Sequence, residues 1–191
     1  MSTSKHELRA SLRTARRDHV ARLDSAVRSL LFLRPPKGLL DLIAPDDVVG
    51  LYAASAEEAP TGGYARFFAE QGHVVALPRF EDRDSSMEFA RFSDPFGNSD
   101  LRTGPFGVAQ PSRDAERVDP DVVFVPVIGF AADGGRLGQG GGHYDRFLAS
   151  RPRATAIGLA WDIQLVENLP LEDHDVRLHA VVTPTRLFGP F

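Results

Sequence analysis

The 191-residue chain reads as an α/β domain, a largely parallel sheet flanked by helices. Strand-like and helix-like patterns alternate along it, the order expected of a parallel sheet with crossover helices. The segment DVVFVPVIGFA, residues 121–131, is a near-continuous apolar run, as expected of a strand covered on both faces. No linker-like composition, long charge block or internal repeat divides the chain, and its length suits one domain, residues 1–191, with its own core.

Each element follows from a local pattern. Leu8, Leu12, Ala15, Leu23, Val27 and Leu30 fall near helical spacing. They predict one N-terminal helix, opened by a Ser4–Glu7 capping box and stopped by RPPKG near Arg34. A strand follows at DVVGLYAA (47–54), a helix at YARFFAEQG (64–72) and a strand at HVVALP (73–78). Residues 87–111 read as short strands and turns. After the apolar strand at 121–131 come the glycine-rich RLGQGGGHYD (136–145), a helix at YDRFLASR (144–151), a strand at ATAIGLAW (154–161) and a short last strand at HAVVT (179–183).

Composition removes several function classes. Hydrophobic residues make up 42% and charged residues 25%, as in ordinary soluble proteins. A net charge of -4 argues against nucleic-acid binding held by gross electrostatics. No run approaches the roughly 18 apolar residues of a membrane span, and the first residues lack the apolar stretch of a secretory signal. With no cysteine, there is no disulfide, thiol nucleophile or cysteine zinc site. The expectation is a cytoplasmic protein with neither nucleic acid nor membrane as partner.

Four glycines within five positions, Gly138, Gly140, Gly141 and Gly142, stand between a buried strand and a helix start. Ligands of open α/β sheets bind beyond the carboxyl ends of the strands. Bare backbone N–H groups there could cradle a phosphate; a Cβ at Gly141 would then crowd it or forbid a positive φ. A glycine-rich turn that only redirects the chain is the alternative. Neither common phosphate motif fits: no lysine follows the glycines as in GxxxxGK[ST], and His143 stands where GxGxxG needs its third glycine. Lys5, Arg9 and Arg13 form a stripe of like charge at helical spacing, which either awaits an anion or is a solvated basic face.

The stretch VFVPVIGFAADGGRLGQGGGHYDRFLA resembles the signature of the 5-formyltetrahydrofolate cyclo-ligase family, the 5,10-methenyltetrahydrofolate synthetases. KHELR near the start, EEAPT, ALPRF and HDVRLHAVVTP resemble further segments of that family in the same order. The resemblance implies a fold grouped with sugar-phosphate isomerase and CoA-transferase-like domains. It implies conversion of 5-formyltetrahydrofolate, alone or as its polyglutamate, and ATP to 5,10-methenyltetrahydrofolate, ADP and phosphate, by a monomer using Mg2+.

Carried over by position, the resemblance assigns ATP to Lys5, Arg9 and the stretch Arg136, Leu137, Gly138, Gln139, Gly140, Gly141, Gly142, His143 and Tyr144. It assigns folate to Ala53, Glu58 and the run Gln139 to His143, magnesium to Asp145 and Asp175, and catalysis to Gln139, His143, Tyr144 and Asp145. Residues alone leave Glu58 as a plain surface carboxylate and Asp175 as part of a solvated acidic loop. Many family members carry arginine at Gln139 and tyrosine at His143, so neutral Gln139 lacks a charge that a protonated His143 could supply. Gln110 and His179 also depart from the common glutamate and aspartate.

Other classes fare worse. A non-catalytic nucleotide or folate binder would share the glycine cradle, and a sugar-phosphate isomerase would need a base and no ATP. A serine hydrolase lacks its GxSxG. His174 and His179 lack zinc-spaced partners.

Overall fold

The structure is a computed structural model that describes residues 4–172 and 175–191. In chain order its elements are α1 (Lys5–Arg22), α2 (Ser25–Leu30), α3 (Lys37–Leu40), β1 (Val49–Gly50), α4 (Gly62–Glu70), β2 (Val75–Arg79), β3 (Glu88–Arg91), β4 (Leu101–Thr103) and β5 (Ala109–Pro111). Then follow β6 (Arg117–Val118), β7 (Val122–Pro126), β8 (Gly129–Phe130), β9 (Arg136–Leu137), α5 (His143–Ala149), β10 (Thr155–Leu159), a 3-10 turn at Asp162–Gln164, β11 (Ala180–Val182) and β12 (Leu187–Phe188).

An eight-stranded sheet runs in the order β12-β11-β10-β7-β1-β2-β3-β6. Its five central strands, β11 to β2, are parallel, and the strands at both margins are antiparallel to their inner neighbours. The β7 side chains divide by the period of two: Val122 and Phe124 enter one core layer, with Tyr64 and Phe68 of α4, and Val123 and Val125 the other, with Phe147 of α5. Aromatic edges close the first layer, Tyr64 and Phe124 lying 5.6 Å apart between ring centres.

The N-terminal capping box forms as expected, but the single helix predicted to Arg34 is two. Leu23 is extended, and the Asp24 carboxylate accepts the N–H groups of Ala26 at 2.8 Å and Val27 at 3.4 Å. An Asx cap of this kind gives the backbone a partner outside the helix and starts a new one. Val27 and Leu30 consequently lie exposed, at 49% and 67%. Ala15 is exposed as well; the inward face of α1 runs through Leu8, Leu12 and Arg16.

The apolar run at 121–131 is not one strand. It ends as β7 at Pro126, bends, and continues into a β8–β9 hairpin. Its apolar character persists because Ile128 packs with Leu12 of α1 and Leu137. Buried Gln164 satisfies the bend, donating from Nε2 to the carbonyls of Val127 (2.6 Å) and Ile128 (2.9 Å) while Oε1 accepts from Trp161 N (2.8 Å). The chain also pairs less than expected at β1: after Gly50 only the Leu51 N–H still reaches Ala76 O. Residues 52–58 then leave the sheet, and α3 enters unforeseen behind Pro36.

Candidate active site

The strand order reverses between β1 and β7. From β1 the chain crosses through α4 to β2 on one side, and from β7 through α5 to β10 on the other. Such a switch point leaves a crevice beyond the carboxyl ends of the two strands. A cleft of about 910 Å³ lies there, bounded by Tyr52 and Ala53 after β1 and by Pro126 at the end of β7. Every residue that the family resemblance assigns to ATP, folate or magnesium lines it: Lys5, Arg9, Ala53, Glu58, residues 136–145 and Asp175.

The glycine loop is held by α1. Arg9 Nε donates to Gly138 O at 2.9 Å, and one turn later Arg13 Nη2 donates to Gln139 O at 2.9 Å and to its side-chain Oε1 at 3.1 Å. The basic stripe therefore has acceptors, which offset its like-charge cost. Positive φ falls on Gly140 (108°) and Gly142 (65°), not on Gly141. That corrects the positive-φ part of the expectation for Gly141: within the protein a Cβ there would meet the His143 ring, at 2.8 Å, whereas Gly142 caps α5 in the left-handed region that favours glycine.

Three ion pairs anchor the acidic end. Arg136, with its side chain 2% exposed, donates from Nη2 to Asp145 Oδ1 at 2.6 Å. Val176 N also donates to Asp145 Oδ1, at 3.3 Å, which ties Asp145 to the segment carrying Asp175. Lys5 Nζ lies 2.6 Å from Asp175 Oδ2 and 3.3 Å from Glu172. Burial works against the Arg136 charge and Asp145 supports it.

On the opposite wall Glu58 is buried, its Oε2 accepting from Ser55 N at 2.8 Å and its Oε1 from Gln139 Nε2 at 3.1 Å. Burial, and next the Glu58 carboxylate, push the phenols of Tyr52 and Tyr144 well above their ordinary range. Both remain neutral. His143 packs edge-on to Phe80 and Phe106, with ring centres 4.9 and 5.6 Å away. Burial, then Arg146, hold its imidazole below the usual value, so at neutral pH it carries no charge to replace the one Gln139 lacks.

The cleft thus sets a glycine loop pinned by two arginines against a partly apolar wall. Comparison with known proteins places the chain in a family. The model of the 5-formyltetrahydrofolate cyclo-ligase family matches residues 1–184. The chain belongs to that family. The cyclo-ligase of Escherichia coli is 40% identical over 96 residues, 47% of this chain and 53% of its own, so the chain spans about half the length of that relative. The cyclo-ligase of Mus musculus is 23% identical over 145 residues, 70% and 71% of the two chains. Among solved structures, a 5,10-methenyltetrahydrofolate synthetase of Aquifex aeolicus superposes with a TM-score of 0.74 at 26% identity, covering 97% of this chain and 92% of that one.

Several cleft residues of this cyclo-ligase family member gave no sequence signal of their own. Phe80 and Phe106 come from separate loops, and only their meeting over His143 gives them meaning. Gln110 locks Phe80 through both its N–H (3.1 Å) and its carbonyl (2.9 Å), so the amide at that position is structural. His179 accepts from Ala156 N through Nδ1 at 2.9 Å and does not line the cleft. His174 lies outside the described residues. No helix among those described is long and apolar enough to cross a membrane.

Proposed function

We propose that the chain catalyses the ATP-dependent cyclisation of 5-formyltetrahydrofolate to 5,10-methenyltetrahydrofolate, with release of ADP and phosphate. The observation that carries this is one cleft holding both an arginine-pinned glycine loop and, across from it, a buried Glu58 against apolar walls. The first feature suits a polyphosphate and the second a polar heterocycle.

The chemistry needs both together. The N5 formamide carbonyl is a poor electrophile whose oxygen leaves badly. Transfer of the γ-phosphoryl group to that oxygen converts it to phosphate; N10 then attacks the formyl carbon, phosphate departs and N10 gives up its proton. Such transfer depends on positioning and charge neutralisation. Lys5, Arg9 and the N–H groups of residues 136–144 would hold ATP, while Ala53, Glu58 and residues 139–143 would hold the folate. Gln139, His143 and Tyr144 would line the reacting centre, where neutral Gln139 adds no charge.

Magnesium fits the acidic end in a particular way. Among the described residues no group of three or more His, Cys, Asp or Glu could hold a metal. Asp145 and Asp175, held here by Arg136 and Lys5, would supply two carboxylates to an ion that takes one or two of them and completes its shell with phosphate oxygens and water. When bound, that ion neutralises charge on the phosphates. The reading takes residues 1–191 as a single catalytic domain acting as a monomer, and a cysteine-free composition suits the cytoplasm. Purified protein mixed with 5-formyltetrahydrofolate, ATP and magnesium should develop methenyl absorbance. A flat trace from folded protein, unchanged as ATP is varied, would sink the proposal.

A further inference from the structure

Arg13 is placed to act on the cleft through Gln139. It does not line the cleft, yet its Nη2 donates to both the backbone carbonyl and the side-chain Oε1 of Gln139, at 2.9 and 3.1 Å. The same Gln139 side chain donates from Nε2 to Glu58 Oε1 at 3.1 Å, and Glu58 Oε2 accepts from Ser55 N. These contacts form a chain of three side chains from a cation on α1 to a buried carboxylate.

Only one orientation of the Gln139 amide satisfies both ends. A guanidinium has donors alone and an ionised carboxylate acceptors alone, so the amide oxygen must face Arg13 and its NH2 must face Glu58. Rotating the amide by half a turn would set oxygen against carboxylate and NH2 against guanidinium, losing both bonds and adding two repulsive contacts. Without Arg13 the amide oxygen loses its charged partner, and the Gln139 side chain is held only at its Glu58 end. We infer that Arg13 is a positioning residue that fixes the Gln139 amide and, through it, the Glu58 carboxylate in the orientation that receives the folate.

This rests on the folate assignment made above for Glu58, and the test separates the two. Arg13→Met, Arg13→Lys, Glu58→Gln and the double variant Arg13→Met/Glu58→Gln are compared by KM for 5-formyltetrahydrofolate, KM for ATP, kcat and thermal midpoint. Arg13→Met should raise the folate KM about tenfold, as for one lost charge-assisted bond, with a clearly smaller rise in the ATP KM, since the glycine loop keeps its Arg9 pin, and the thermal midpoint nearly unmoved. Arg13→Lys, which keeps a charge but not the fork, should recover part of the loss. The double variant should be no worse than Glu58→Gln alone, because Arg13 acts through that carboxylate. Additive losses in the double variant, or equal rises in both KM values, would overturn the inference while leaving the folate site intact. An unchanged folate KM in Glu58→Gln would instead remove the site assignment, and the inference with it.

Discussion

Replacing Asp145 by asparagine tests the acidic end of the cleft. Asp145 stands at a helix start, but its carboxylate is also the partner of a guanidinium only 2% exposed, so an isosteric amide should keep the fold at a cost in stability. The amide oxygen of asparagine still accepts from Arg136 but no longer neutralises it. A lost charge-assisted bond costs about 1.5 to 3 kcal/mol and a fully broken buried pair about 3 to 5 kcal/mol. Asp145 is itself 18% exposed and Arg136 keeps its bond to Val176 O at 3.2 Å, which sets the cost nearer the lower range, about 2 to 3 kcal/mol. A domain of this size shifts its midpoint by roughly 2 to 4 °C per kcal/mol, so melting followed by circular dichroism should fall by roughly 4 to 12 °C. Turnover should fall by orders of magnitude at temperatures where the variant remains folded, and saturating magnesium should not restore it. A midpoint within about 1 °C of the parent would show that the pair contributes nothing and refute the reasoning. A companion variant, Arg136→Met/Asp145→Leu, should melt closer to the parent than Asp145→Asn does, since it removes the buried charge with its partner.

Other substitutions probe separate links. Gly142→Ala should lose about 1 to 2 kcal/mol of stability, read as a lower denaturation midpoint, because its φ of 65° is left-handed; Gly141→Ala should lose less, since the His143 ring can turn aside. Lys5→Ala should weaken ATP binding, measured calorimetrically, by about 1 to 3 kcal/mol, and its 2.6 Å ion pair with Asp175 makes a modest fall in melting temperature part of the expectation. Gln164→Leu should cost about 3 kcal/mol or more in urea unfolding, because two carbonyls and one N–H lose a buried partner; a cost under about 1 kcal/mol would mean that the bend after β7 satisfies itself.

The legible parts of the molecule are those whose signal is local. The Ser4–Glu7 box, the helix at 143–149 and the glycine loop each depend on neighbours within a few positions, and the parallel sheet follows from alternation and apolar runs. Apolarity does not distinguish a strand in the sheet from a turn buried beneath a helix, so the end of β7 was hidden inside 121–131. Arg16 is buried at an apolar-face position of α1, with Glu57, from a distant loop, 3.8 Å away. Likewise Phe80, Phe106 and the Arg13–Gln139–Glu58 chain are meetings between segments 26 to 126 residues apart, and spacing says nothing about them.

The lone tryptophan of the chain is Trp161, wholly buried, with His19 and Phe32 against its ring and its indole N–H donating to Glu57 O at 2.9 Å. Glu57 precedes Glu58, so the protein carries a single indole, wired to the backbone of the loop that bears the proposed folate carboxylate. Emission excited at the indole edge arises from one place only. A shift in its colour or intensity on adding 5-formyltetrahydrofolate would time the movement of that loop without any label, and stopped-flow traces could order that movement against the rise of methenyl absorbance.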